Sequence, residues 1–156
     1  VKQALFNIIQ YEIAGDVLDL FAGSGQLGIE ALSRGASHAV FVDQRREALS
    51  IVRENLDRTH LASQAELVCA DYLNYLDRCR KRFRLIFLDP PYAEKYLENA
   101  IKRISEIDIL AEGGIIITER PADKVLDCSP SGLIRSKDYC YGKTAITLFR
   151  REEDVL

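Results

Sequence analysis

Short apolar runs alternate with longer amphipathic stretches through most of this chain, and that alternation restricts the fold more than any other feature. Val17-Leu-Asp-Leu-Phe21, Ala39-Val-Phe-Val42, Ala65-Glu-Leu-Val-Cys69, Leu85-Ile-Phe-Leu88 and Gly114-Ile-Ile-Ile-Thr118 read as five strands, four to five residues each. The spacing between them predicts helices over about 25–34, 45–58, 72–79 and 94–107, after an opening helix over about 2–11. In the second of these, Ala48, Ile51, Val52 and Leu56 fall on one face. The tail changes character: 133–137 and 145–150 read as two strands joined through Tyr141-Gly142, with no helix between them. Repeated strand–helix units predict a parallel sheet covered on both faces, and the closing pair predicts an antiparallel hairpin at one edge. The stretch 121–132 carries the weakest pattern.

Size and charge narrow the classes. At 156 residues the chain has the length of one domain, large enough to hold a core without staples. With 47% hydrophobic and 29% charged residues it is neither disordered nor fibrous, and no apolar run is long enough to span a membrane. The net charge of −3 argues against binding nucleic acid by bulk electrostatics and leaves only local basic patches for that purpose. Cys69, Cys79, Cys128 and Cys140 show no C-x-x-C pairing, and with two histidines no metal site is predicted. Free thiols in a reducing cytoplasm are expected. His38 and His60 stand in no triad-like setting. The sequence opens on Val1 and contains no Met, as expected of a piece of a longer or processed chain.

In open α/β sheets ligands bind beyond the carboxyl ends of the strands. The predicted exits carry Asp19, Asp43, Asp71, Asp89 and Glu119. Turn formation explains one or two such residues; five acidic exits on one rim suggest a cationic or hydroxyl-rich ligand.

Gly23-Ser24-Gly25-Gln26-Leu27-Gly28 fits G-x-G-x-x-G between a strand and a helix, and Asp43 ends the next strand 20 residues after Gly23. That pattern serves nicotinamide, flavin and S-adenosylmethionine enzymes alike, with the acidic residue on ribose hydroxyls. Asp19, four residues before the first glycine, would repel a pyrophosphate and attract an ammonium or sulfonium. Asp71 reads either as an acceptor for an adenine amine or as the N-cap of the next helix.

Asp89-Pro90-Pro91-Tyr92 directly follows the fourth strand. Its two prolines stiffen the turn. A carboxylate at Asp89 and the carbonyl of Pro90 would then accept hydrogen bonds from an exocyclic base amine. That would localise its lone pair, while Tyr92 stacks on the base. The plainer reading is a proline-rich strand terminator.

The combination resembles the class I S-adenosylmethionine-dependent methyltransferases, and within them the N-DPPY amino-methyltransferases. The run from Val17 through Asp19 and the glycine loop to Gly35, the opening Val1-Lys-Gln-Ala-Leu-Phe-Asn7, 85–92 and Tyr141-Gly-Lys-Thr144 are similar to the RsmD-type family. Those are bacterial small-subunit (16S) ribosomal RNA guanine-N2 methyltransferases. The resemblance covers nearly the whole chain and implies one Rossmann-like methyltransferase domain over 1–156: an α/β fold with a mostly parallel seven-stranded sheet and one antiparallel closing strand. It implies S-adenosylmethionine as cofactor. Asp19 and Gly23, Ser24 and Gly25 would hold its methionine part, Asp43 its ribose, and Asp71 with the Tyr72 amide its adenine. Phe21, Ala22 and Gln44 would lie beside them. Asp89, Pro90 and Tyr92 would carry catalysis. The implied partner is ribosomal RNA or the small-subunit particle, bound by a cytoplasmic monomer. Family members carry an Arg-Pro-Thr stretch and a β-hairpin ahead of the segment matching Val1. Neither stands in this sequence, so weaker RNA affinity is expected of it alone.

The alternatives are a DNA adenine-N6 or cytosine-N4 methyltransferase, a non-catalytic nucleoside-binding module, and a nicotinamide oxidoreductase. Arg78, Arg80, Lys81, Arg82 and Arg84 form the densest basic cluster, but precede the fourth strand and so fall on the far rim. They read as a solvated connection. Lys95, Arg120 and Lys143 follow the active rim and are better placed for phosphates.

Overall fold

A computed structural model describes residues 1–92 and 95–155. The elements run α1 (Lys2–Ile8), β1 (Asp16–Asp19), α2 (Gln26–Ser33), β2 (His38–Asp43), α3 (Arg46–Arg58), β3 (Ala65–Cys69), α4 (Tyr72–Arg78), β4 (Phe83–Leu88), α5 (Tyr96–Glu106), β5 (Leu110–Pro121), β6 (Leu133–Tyr141), β7 (Thr144–Arg151) and α6 (Glu152–Val155). One seven-stranded sheet has the order β3-β2-β1-β4-β5-β7-β6. β1 to β5 are parallel; β7 is antiparallel to both neighbours and lies between β5 and β6. The predicted fold, including its single antiparallel strand, is the one observed.

The centre of the sheet is apolar because it is covered on both faces. Leu85, Ile86, Phe87 and Leu88 of β4 are wholly buried, alternating between two cores. One core packs Leu85 and Phe87 with Val17, Phe41, Ile115 and Ile117 under Leu5 and Phe6 of α1, Ile29 and Leu32 of α2, and Val52 and Leu56 of α3. The other packs Ile86 and Leu88 with Leu18, Val40 and Ile116 under Leu76 of α4 and Leu97, Ala100, Ile101 and Ile104 of α5. The α5 residues recur at the three- and four-residue steps of one helix face. Each such large side chain contributes roughly 1.5–3 kcal/mol by leaving water.

Several boundaries differ from the sequence reading: β4 begins two residues earlier, at Phe83, and β6 runs on to Tyr141. α1 stops at Ile8 rather than reaching Tyr11, because Ile9 turns into the core and Glu12 folds back to pair with Arg84 (3.0 Å) and Arg150 (3.4 Å). β5 runs over 12 residues, more than twice the expected length, because β7 pairs it from Ile115 to Pro121. α6 was not anticipated; the Asp154 carboxylate holds it by accepting from Gly113 N–H at 2.9 Å. The expected helix start at 94 lies outside the described residues.

Gly28 sets how closely α2 lies on the sheet. A Cβ there would stand 2.8 Å from Phe41 Cζ and closer still to Cε2, and Phe41 is a fully buried β2 residue. Gly28→Ala gains helix propensity of roughly 0.5–1 kcal/mol but overpacks this contact, at a cost of about 1–3 kcal/mol. We expect net destabilisation, read as a lower urea midpoint with an unchanged slope.

Candidate active site

The strand order reverses between β1 and β4, which opens a crevice beyond their carboxyl ends. Asp19 ends β1 and Asp89 follows β4 on either side of that crevice. Asp19 pairs in register with Phe41 on one side and Phe87 on the other, so Asp43 and Asp89 each stand two residues further along their chains than Asp19, flanking it.

Two carboxylates fix the glycine loop between β1 and α2. Asp19 is 2% exposed, and its Oδ2 accepts from Gly28 N–H at 3.0 Å. Asp43, at the end of β2, accepts from Gly23 N–H through Oδ2 (3.0 Å) and from Arg45 N–H through Oδ1 (2.9 Å). Gly25, with φ +81°, forms the left-handed entry to α2, and Asn55 of α3 donates to the Ser24 carbonyl at 3.0 Å. Gly28 N–H, in the first turn of α2, and Gly23 N–H, in the loop before it, are thus each bound to a carboxylate.

The crevice has two lobes. The larger, about 500 Å³, is lined by Leu20, Phe21, Gly23, Asp43, Gln44, Arg45, Ala70, Asp71, Tyr72 and the turn Asp89-Pro90-Pro91-Tyr92 with Tyr96. Phe21, Tyr72 and Tyr96 form an aromatic wall, with ring centroids 5.1 Å (Phe21–Tyr72) and 5.4 Å (Tyr72–Tyr96) apart. A Cβ at Gly23 would meet nothing within 4 Å, so the backbone there is open to a ligand. The smaller lobe, about 360 Å³, is lined by Lys2, Asp19, Phe21, Ala22, Gly23, Ser24, Gln26, Leu27, Asp89 and Glu119. Phe21, Gly23 and Asp89 border both.

The smaller lobe is electrostatically unusual. Burial pushes the Asp19 carboxyl up to about 7 despite its bond from Gly28, and the charges of Asp89 and Asp43 push the same way. Asp89 is also held up to about 7, by burial and then by Glu119. Glu119 is raised by its own burial. Among the described residues neither Asp89 nor Glu119 accepts a hydrogen bond. Carboxylates that resist ionisation together favour a cationic guest or an N–H donor and disfavour an anion.

Of the sequence-predicted residues, all but Gly25 line one lobe or the other; Gly25 is buried against Val52. Asp71 caps α4, its Oδ2 accepting from Leu73 (3.0 Å) and Asn74 (3.2 Å) N–H groups. The cap reading therefore holds, and Asp71 also stands on the larger lobe. Pro90 is buried, whereas Tyr92 is 49% exposed at the lip. Tyr96 was missed as a wall residue, since one tyrosine at a helix start carries no signal. From the sequence Glu119 reads only as one acidic strand exit among five. In the far-rim basic cluster, Lys81 pairs with Glu66, Arg82 with Asp108 and Arg84 with Glu12. A third depression, beyond Tyr92, is lined by Lys95, Arg120 and Lys124 with Pro121 and Val125; Lys143 is not part of it.

Comparison with known proteins gives the family. The model of the family described as Conserved hypothetical protein 95 matches residues 1–150. The chain is similar to the Bacillus subtilis (strain 168) protein named "Putative rRNA methyltransferase YlbH", 39% identical over 97% of this chain and 84% of that one. It is 31% identical to "Ribosomal RNA small subunit methyltransferase D" of Escherichia coli (strain K12), over 97% of this chain and 77% of that one. A Streptococcus pyogenes conserved hypothetical protein of known structure superposes with a TM-score of 0.91 at 35% identity, covering 99% of this chain and 97% of that one. The chain belongs to the Conserved hypothetical protein 95 family, the RsmD-type family that its opening, glycine-loop and Asp-Pro-Pro-Tyr segments resemble.

Proposed function

We propose that this protein transfers a methyl group from S-adenosylmethionine to the exocyclic N2 amine of a guanine in small-subunit ribosomal RNA. One observation carries the cofactor assignment: the glycine loop is flanked by two carboxylates, Asp43 and Asp19, which accept from Gly23 and Gly28 N–H, so a pyrophosphate at this loop would have to approach fixed negative charge. The same carboxylates leave negative charge facing the crevice, which suits an ammonium and a sulfonium. The residues present therefore fit S-adenosylmethionine and not a dinucleotide. The methionine part belongs in the lobe of Asp19, Ala22 and Ser24. The ribose belongs beside Gln44 at Asp43, and the Asp43 carboxylate oxygens keep lone pairs free after the bonds from Gly23 and Arg45 N–H. The adenine belongs against Phe21, Tyr72 and Asp71.

When bound, the cofactor supplies an electrophilic methyl group carried on a sulfonium. The Asp89 carboxylate and the Pro90 carbonyl accept the two amine N–H groups, localise the nitrogen lone pair and orient it in line. Asp89 then receives the proton that leaves the amine as the new N–C bond forms. Tyr92, half open at the lip, supplies a ring face for the base. Lys95 and Lys124 beside it are placed for flanking phosphates. The names of the relatives support ribosomal RNA as substrate. With a net charge of −3 and three of five far-rim cations paired with acids, the chain has little general affinity for RNA. Unstacking a paired base costs a few kcal/mol. An exposed loop nucleotide presented by a folded particle is therefore the expected substrate.

Tritiated-methyl transfer to small-subunit particles, naked ribosomal RNA and duplex DNA, followed by nucleoside analysis, tests the assignment. We expect N2-methylguanine in particles, diminishing with added salt. Label as N6-methyladenine in DNA, with none in RNA, would move the protein to the DNA class.

Asp43→Ala removes charge-assisted hydrogen bonds worth roughly 1.5–3 kcal/mol each. It also frees Gly23 N–H, so cofactor affinity falls by about one to two orders of magnitude and the melting temperature drops with it. Calorimetry with S-adenosylmethionine and with NAD reads both effects; NAD binds to neither protein.

Asp89→Ala lowers kcat strongly and leaves cofactor affinity nearly unchanged, as single-turnover kinetics would show. The pH profile has a definite sign. With Asp19 and Asp89 both held up to about 7, kcat/KM for the cofactor rises with pH through that region. At saturating cofactor the bound cation favours the ionised carboxylates, so the limb in kcat moves to lower pH. The stability of the cofactor-free protein runs the other way. Each raised carboxyl contributes fully below the ordinary carboxylate range and loses its contribution as pH rises through about 7.

A further inference from the structure

Glu119 stands one strand away from Asp89 at the same level. Leu88 of β4 is the register partner of Thr118 of β5, so the next residues stand side by side, Asp89 just past the end of β4 and Glu119 still within β5. Register partners in parallel strands share a face, and adjacent strands lie about 4.8 Å apart. Both carboxylates open onto the lobe that also holds Asp19. Glu119 is half-buried and, among the described residues, no side chain or backbone group donates to it. An unpaired carboxylate kept half-buried costs folding energy, and among the described residues no hydrogen bond or ion pair offsets that cost. Its neighbour on the other side, Arg120, turns away to Thr147 Oγ1 (2.7 Å) and the Lys124 carbonyl (3.0 Å).

The three bases with an exocyclic amine differ at the ring nitrogen beside it. In guanine that nitrogen is N1–H, a donor adjacent to the N2 donors. In adenine it is N1, and in cytosine N3, each an acceptor beside a donor. The Asp-Pro-Pro-Tyr turn grips the amine alone and treats all three alike. A second acceptor-only group one strand away separates them: it accepts N1–H of guanine and opposes the lone pair of adenine or cytosine.

We propose that Glu119 is the specificity residue that reads guanine N1–H while Asp89 and the Pro90 carbonyl hold the N2 amine. The inference rests on the methyltransferase reading above and supplies the guanine selection that the catalytic turn lacks.

The test uses Glu119→Gln and Glu119→Asp in the same transfer assay on small-subunit particles. Guanosine monophosphate and 2-aminopurine riboside monophosphate serve as competitors; the second keeps the 2-amine but has an acceptor at N1. Glu119→Gln should lower kcat/KM for the particle by about tenfold to a hundredfold, the discrimination expected of one bidentate base contact. Its affinity for S-adenosylhomocysteine by calorimetry should stay as in the wild type. The wild type should prefer guanosine monophosphate over the 2-aminopurine nucleotide by about tenfold or more. Glu119→Gln should lose that preference, because its amide can also donate to an N1 acceptor, and Glu119→Asp should keep it. Equal or absent competition by the two nucleotides in the wild type overturns the inference without any variant, and so stands even if Glu119→Gln does not fold. Wild-type kcat/KM in Glu119→Gln also overturns it. So does a fall in S-adenosylhomocysteine affinity that matches the loss of activity, which would assign Glu119 to the cofactor. A wild type that binds S-adenosylhomocysteine but labels no guanine in any substrate removes the underlying reading itself.

Discussion

The hydrogen bonds from Gly23 and Gly28 N–H to Asp43 and Asp19 are the constraint on which the site depends. They bind both ends of the glycine loop to the ends of two adjacent strands, so the loop takes its position from the sheet. The close contact of Gly28 with Phe41 lets α2 come near enough for the Asp19 bond to form. Each needs the other: a side chain at Gly28 would lift the helix and strand a buried carboxylate, whose desolvation costs several kcal/mol when unpaired.

The same bonds decide the chemistry of the crevice. A glycine loop at a helix start is ordinarily an anion site. Here the sheet supplies the anions itself and turns the loop's outer surface into the wall of a negative lobe. Asp89 and Glu119, on the next two strands, extend that lobe toward the lip, where Tyr92 stands exposed. Burial raises the carboxyl groups of Asp19 and Asp89 toward neutrality, with repulsion from Asp89 and Asp43 adding to the first and from Glu119 to the second. Part of the energy of a bound cation therefore goes into ionising its own site.

Much of this arrangement could be read from the sequence because its signals are local. The strand exits follow from apolar runs, and the loop and the Asp-Pro-Pro-Tyr turn are contiguous. What was illegible is what depends on contacts across the sheet. β5 outgrew its apolar run because β7, some thirty residues later, supplies partners to polar Thr118, Glu119 and Arg120. Tyr96 joined the aromatic wall through its distance to Tyr72, which no spacing encodes. Asp71 carried two compatible roles, and only the hydrogen bonds to Leu73 and Asn74 show that capping is one of them. The basic run 78–84 looked denser than it is electrostatically, since its partners Glu12, Glu66 and Asp108 are remote in sequence.

The position of β7 between β5 and β6 bears on how such a chain comes off the ribosome. Until residues 144–151 have been made, Ile115, Ile116 and Ile117 of β5 form an open edge in the most apolar part of the sheet, and β6 has no neighbour to join. An unpaired apolar edge invites pairing with another chain, and synthesis at about 5–20 residues per second keeps it open for seconds. Glu119 cannot be fixed beside Asp89 before that last insertion, because its strand is held on one side only. The cofactor lobe at β1 and β2 can form early, whereas the acceptor side is completed by nearly the last strand to emerge.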